Sequence, residues 1–502
     1  MPEIDLPQAP PVSLAKEPAR TSRVAVSAAL PRVAPTRVLV SVLLAAIAAA
    51  VLIPTSLLGI GVALTGVVVL VAVFTGSPGR PSPAELFTAG SILALLLVAG
   101  WRSAEWLSLA CILIALIATG VLVVGARTMR EIAFTVVAPA MMAVGTARWM
   151  YRGASSARTD RPIKNLGAVI RVGLVTTVLL VVFVALFSGA DATFASLVDS
   201  VVPSFGDAEI GSDAVAGLLI GIFTAIGCYI RFARPEIAAR PAKVTTDAWM
   251  WAVPTGAVLV LYVAFLITQA RAMFGGDDYV QQTAGLTYAD YARSGFWQLF
   301  AVTALTILVV SIGWQRASGR TLRERLLARV ILGGLCLAAL AVVASALHRM
   351  DLYMDAFGAT RLRVSVMATE LWLGAVLLAL IVAGIGLGTR QLPRAIGFLT
   401  IAAALSFAVY NPDSRVAQAN VDRFSRTGKI DTYYLADLSP DATGALLRLP
   451  ADLRACVLRK IARDVRTDRG WTEFNVGRND ARDQLGGRRF ALADNYSSCR
   501  PR

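Results

Sequence analysis

The side chains most able to do chemistry crowd into one short stretch: His348, Arg349, Asp351, Tyr353, Asp355, Arg361 and Arg363, followed by Glu370. Glu370 lies seven positions past Arg363, about 10 Å further along if the run is helical. An ionisable group inside an apolar run is costly there and faces a bundle interior or a wet cavity. Glu370 is therefore the leading candidate for a ligand or ion site. Arg349 or Arg361 is its expected partner, with His348, Asp351 and Tyr353 nearby. Two chemistries fit this set. One is a site for a charged ligand or a proton, opening outward; the other is an ion network that only fixes two helix ends against each other. His348, the sole histidine, could sense outside pH, although an interfacial hydrogen bond is its simpler role.

Other constellations dissolve on inspection. Asp191, Asp199, Asp207 and Glu209 lack the alternating spacing and central glycine of a calcium loop. Asp277-Asp278 follows Gly275-Gly276, which reads as a turn. The chain contains no phosphate loop, HExxH or GxSxG pattern. The GIGLG run at 384–388 ends an apolar block instead of following a strand, so a dinucleotide reading fails. The expectation is therefore no cofactor, no metal site and no catalytic residue.

The elements that must position these residues are membrane spans. The 502 residues are 56% hydrophobic and only 16% charged, with a mean hydropathy of +0.64. The apolar residues form long blocks matched to the ~30 Å hydrocarbon core of a bilayer. Eleven spans are expected, near 38–55, 57–75, 85–100, 106–125, 169–189, 213–232, 247–268, 296–313, 328–347, 364–386 and 395–410. The stretch 132–147, short and containing Pro139, is read as re-entrant or interfacial. That choice keeps Arg127, Arg130, Arg148, Arg152, Arg158, Arg161 and Lys164 on one side, as the positive-inside rule requires. The net charge of +15 then belongs to loops that meet lipid headgroups, so the bilayer, not nucleic acid, is the expected partner. Trp101, Trp106, Trp249, Trp251, Trp297, Trp314 and Tyr410 fall near span ends, where amphipathic rings settle.

The fold class is thus all-α, a polytopic transmembrane bundle (37–410) with a disordered cytoplasmic tail (1–36) and a soluble helical domain (411–502). The N-terminus is expected inside the plasma membrane and the C-terminus outside. Asn411-Pro412-Asp413 and Ser439-Pro440-Asp441 are helix starts, and three to five helices are expected in the last domain. Outside the cytoplasm, Cys456 and Cys499 are a candidate disulfide, contributing about 3–4 kcal/mol. Their alternative is two unpaired thiols.

Six segments carry a family resemblance. They are LLGIGVAL at 57–64, RSAEWLSL at 102–109, VFVALFSGADATF at 182–194, YARSGFWQLF at 291–300, HRMDLYMDAFGATRLR at 348–363 and NPDSRVAQANVDRF at 411–424. Their order and spacing resemble an uncharacterised family of bacterial multi-pass membrane proteins, frequent in actinobacteria and known only as a domain of unknown function. The resemblance implies one continuous membrane unit with a helical C-terminal extension, and no activity. The favoured function is a non-enzymatic cell-envelope component, a scaffold or signalling protein that meets an envelope partner through 411–502. The alternative is a secondary transporter using Glu370 with the outer-face arginines. The span count and outer C-terminal domain also look similar to lipid-linked glycosyltransferases, but the first outer loop, near Ser56, is very short and has no carboxylate.

Overall fold

Among the described residues of the computed structural model, every element is helical except a two-residue antiparallel pairing of Ala25–Val26 with Pro235–Glu236. The structure describes residues 25–26, 33–53, 58–77, 79–156, 208–233, 235–236, 247–274, 296–317, 321–387, 391–467 and 470–486. The expected span at 169–189, most of the acidic loop 190–212, the Asp277-Asp278 turn and Cys499 lie outside the described residues.

The bundle runs through α1 (Thr36–Leu52), α2 (Ile60–Thr75), α3 (Pro83–Trp101), α4 (Glu105–Val124), α5 (Met129–Ser156), α6 (Ala208–Phe232), α7 (Ala248–Phe274), α8 (Phe296–Arg316), α9 (Leu322–Phe357), α10 (Arg361–Val382) and α11 (Leu392–Tyr410). Among the described residues nine helices, α3 to α11, are long and apolar enough to cross a membrane; α1 and α2 are shorter apolar helices. Helices satisfy their own backbone hydrogen bonds, the condition for crossing hydrocarbon. Their apolar surface also continues outward: Leu43, Val71, Leu113, Val260 and Leu337 are all exposed, a pattern suited to a lipid solvent.

Contacts define the two ends of the bundle. Near the end of α6, Arg231 donates to Glu85 at the start of α3 (2.6 Å) and to the Leu122 carbonyl at the end of α4 (3.2 Å). It also reaches Ser77 Oγ just past α2 (3.2 Å). Near the start of α6, Gly217 packs against Ala46 and Ala50 in the second half of α1. The α1 and α6 helices are therefore antiparallel.

α5 is one continuous helix through Pro139. Although its length suits a crossing, both of its ends lie at the Arg231 end of the bundle. Thr135 sits beside Gly120 in the last turns of α4, and Gly145 beside the Tyr229 hydroxyl in the last turn of α6. The Trp149 carbonyl accepts from Ala34 N (3.3 Å), just before α1, and Gly153 packs on Ala34. Thr135, Ala138, Met142, Thr146, Trp149 and Gly153 form its buried stripe, at helical spacing.

The expected outer loop 348–363 is corrected. Nothing between His348 and Phe357 breaks a helix, so α9 continues to Phe357. Gly358, at φ 85, turns the chain, a conformation open to glycine. Thr360 then caps α10 by accepting from Arg363 N (3.3 Å).

Beyond α11 the chain folds into α12 (Pro412–Thr427), α13 (Thr432–Ala436), α14 (Thr443–Leu446), α15 (Ala451–Asp464) and α16 (Val476–Leu485). Single 3-10 turns occupy Pro440–Ala442 and Trp471–Glu473. Asn411, left-handed at φ 56, caps α12, and Pro412 fills its first turn, as the sequence predicts. Val416, Leu435, Leu446, Leu458 and Ile461 form a buried core that runs on into Ala359 and Val364 at the start of α10. These helices therefore form a cap on the end opposite Arg231. Cys456 is disulfide-bonded, and Cys111, Cys228 and Cys336 are buried free thiols.

Candidate functional site

Helices ending at a common surface leave amide and carbonyl groups without intrahelical partners, and a field that is positive at N-termini and negative at C-termini. The cap answers both. Ala104, which begins α4, offers no side-chain cap; instead Asp441 Oδ2 accepts from Ser103 N (2.8 Å) and Ala104 N (3.2 Å). Asp441 N donates in return to Ser103 Oγ (2.9 Å). A side chain on Gly477 would run into this carboxylate. The C-terminal ends of α3, α9 and α11 receive donors. Asn475 Nδ2 bonds the Ala99 and Arg102 carbonyls (2.8 Å each). Arg423 bonds the Ala356 carbonyl (2.7 Å). Within the bundle itself, Arg102 Nε bonds the Ala408 carbonyl (2.7 Å).

Asp413 is the centre of the seam. It is fully buried and receives both Nε and Nη2 of Arg361 (2.8 and 2.6 Å), the bidentate geometry of a strong pair. Ser439 N (2.9 Å) and Trp106 Nε1 (3.3 Å) complete its shell. Arg361 Nη2 also donates to the Asp437 carbonyl (3.1 Å), and Arg361 N donates to the Tyr434 hydroxyl (2.6 Å). Burial alone would raise the Asp413 carboxyl; Arg361 and Ser439 outweigh it and hold the group below the ordinary aspartate value. For Asp441 burial prevails over Ser103 and Arg102 and pushes the carboxyl up.

The cluster expected around Glu370 is thereby dispersed. Arg361 belongs to Asp413. Arg349 is buried and donates to Gln269 Oε1 on α7 (2.7 Å), so neither expected arginine partners Glu370. Arg363 stacks over the Tyr353 ring at 4.1 Å and bonds the Gly358 carbonyl. His348, Asp351 and Asp355 are exposed on the last turns of α9. The reason is the helical continuation to Phe357, which distributes these residues around a cylinder where a loop would have let them gather.

Glu370 itself lies in α10 at 0% exposure, between Val366 and Leu373 on that helix's buried face. Neither carboxyl oxygen has a hydrogen-bond partner. Gly374, one turn on, packs against Leu340 and Val343 of α9. That register places Ser345, also buried with an unpartnered hydroxyl, at the depth of Glu370. Nearly four turns beyond Glu370, α10 passes into a kinked π-helical turn at Ala383–Leu387, in which Gly386 leaves helical backbone angles; such distortions recur at functional positions in helices. Among the described residues no cluster of His, Cys, Asp or Glu could hold a metal ion.

Sequence reasoning missed Asp413 and Asp441 as seam residues. Each follows a proline in a helix-start signature, and that local role accounted for it fully. Nothing in the spacing marks which helix-start aspartate will be buried by a partner more than fifty positions away.

A family described as a domain of unknown function (DUF4153) matches residues 89–449. The match includes Ser103, Trp106, Arg361, Glu370, Asp413 and Asp441, and stops short of Asn475. No curated protein and no solved structure matches the chain.

Proposed function

The chain belongs to the DUF4153 family, and from that premise we propose that it is an integral protein of the plasma membrane that binds and releases a proton at Glu370, as a proton-coupled secondary transporter would. The observation that carries this reading is Glu370 itself: fully buried, in a membrane-spanning helix, with both oxygens unpartnered. An ionised carboxylate there would lose several kcal/mol of hydration with no ion pair in return, so the resting group carries its proton. Intramembrane carboxyls of this kind mark ion and proton pathways. Release requires the α9–α10 interface to admit water, and the π-helical turn of α10 offers a place for that helix to flex.

The cap is extracytoplasmic in this reading and the N-terminus cytoplasmic. Support comes from charge. Arg127, Arg130, Arg148 and Arg152 lie on or beside α5, and Arg323, Arg325 and Arg329 near the start of α9, all toward the end opposite the cap. The positive-inside rule puts that end in the cytoplasm. An envelope scaffold is the second reading, favoured by a cap held rigidly from below with Tyr433 84% exposed on it. Crosslinking of a Tyr433→benzoylphenylalanine variant in cells would capture an envelope protein under that reading.

Infrared difference spectroscopy during a pH titration, on protein in lipid nanodiscs, tests the proton site. Wild type should show a protonated carboxyl band that Glu370→Gln lacks, with the variant's helical content and melting unchanged. A wild-type spectrum without that band at every pH would overturn the proposal.

A further inference from the structure

We infer that the groove between α8, α9 and α10, at the end opposite the cap, binds an anionic glycerophospholipid, its acyl chain in the groove and its phosphate on Arg329 and Arg325. The groove is a cavity of about 290 Å³ whose lining includes Trp314, Gly333, Leu337, Ile381 and Gly384, with Arg329 at its mouth. Its walls are apolar, and Val330, Leu337 and Ile385 are exposed. Gly384 stands where any side chain would strike the Trp314 ring, whereas a Cβ on Gly333 would meet nothing within 4 Å. Gly333 therefore opens onto the groove.

Depth identifies the occupant. From Val330 to His348 the chain carries no Asp, Glu, Lys or Arg, and the twenty-residue step from Arg329 to Arg349 is about 30 Å of helix, the thickness of a hydrocarbon core. Arg329 thus sits at the level of lipid phosphates, and the groove rises from it into acyl-chain territory. Its guanidinium donates to the Ile385 carbonyl (3.2 Å) and is otherwise exposed. Arg325, also exposed, lies one turn below on the same helix face. Two cations beneath an apolar slot match a phosphate above which a single chain turns inward, and fit a zwitterionic headgroup less well because its ammonium would meet the same arginines.

Native mass spectrometry of the full chain, titrated with phosphatidylglycerol and separately with phosphatidylcholine, tests this. Wild type should retain phosphatidylglycerol preferentially. Arg329→Gln should weaken that binding about fivefold, the contribution of one interfacial cation, and Arg329→Lys should restore most of it. Gly333→Leu, whose side chain enters open space, should weaken retention of both lipids while leaving the melting temperature unchanged. Equal binding of the two lipids by wild type, or undiminished phosphatidylglycerol binding by either Arg329→Gln or Gly333→Leu, would overturn the inference. A Gly333→Leu protein that changed oligomeric state with lipid retention intact would assign the groove to a second copy of the chain instead.

Discussion

At the seam between bundle and cap Asp413 is fully buried and Asp441 half-buried, and their carboxyls shift in opposite directions because of the kind of donor each faces. Asp413 meets a guanidinium in bidentate contact; the Asp441 carboxylate accepts from two backbone amides and, at 3.4 Å, from the Ser439 hydroxyl. The folded value of Asp413 is depressed, so its stabilisation is present above the unfolded value near 3.9 and is lost as pH falls from there through the depressed folded value. The folded value of Asp441 is raised, so its contribution is present below the unfolded value and is lost as pH rises through the raised one. At neutral pH, Asp413→Asn should lower stability by about 3 kcal/mol, the low end for breaking a buried pair, because Arg361 is 28% exposed and partly rehydrates. Asp441→Asn should leave stability unchanged or raise it, since an amide oxygen still accepts from Ser103 and Ala104 without carrying charge. Thermal unfolding in detergent from pH 3 to pH 8 checks both, and equal losses would refute the distinction. Glu370 was legible as an intramembrane carboxyl from composition alone. Its solitude was not, because a sequence lists arginines near it without saying which way a helix turns them.

At the scale of elements, α5 shows how length and placement separate. Its 28 residues are ample for a crossing, although it is the least apolar of the nine candidate spans among the described residues. What keeps it across one end is the arrangement of its partners: Gly120, Tyr229 and Ala34 all belong to the Arg231 end. Cysteines placed at the exposed positions Thr128 and Ala154 should therefore react with an impermeant maleimide from the same side of the membrane, the cytoplasmic side in the proposed orientation. Labelling from opposite sides would make α5 a span. Charge made this placement legible, because only an uncrossed 132–147 keeps its flanking arginines together. The helix ends were harder to read. Leu352, Tyr353, Met354 and Ala356 suit a helix as well as an interfacial loop, and polar residues among them pointed to the loop; tertiary contacts such as Arg423 on the Ala356 carbonyl carry the helix further.

For the whole molecule, the question is whether the cap is a separate domain or part of the bundle. Sequence composition changes abruptly near residue 411, which suggests a boundary. Packing crosses it: Ala359 and Val364 share a core with Val416 and Leu435, and Asp441 and Asn475 supply partners that α4 and α3 lack by themselves. Removing the cap would leave the Asp413 partner Arg361, an uncapped α4 and the carbonyl ends of α3 and α9 without their cap-side bonds, a loss of several hydrogen bonds at about 1 kcal/mol each besides the apolar contacts. Cap and bundle should therefore unfold in one transition when the fluorine resonance of Trp471 in fluorotryptophan-labelled protein, reporting the cap, and those of the bundle tryptophans are followed together. A chain ending at Tyr410 should melt well below the intact protein or fail to accumulate. The disulfide at Cys456 stabilises the same unit, so reduction should lower that single transition as a whole. A cap that melted first under reduction, with the bundle's transition unmoved, would show two independent domains, and the seam built on Asp413 would then be only a resting contact between them.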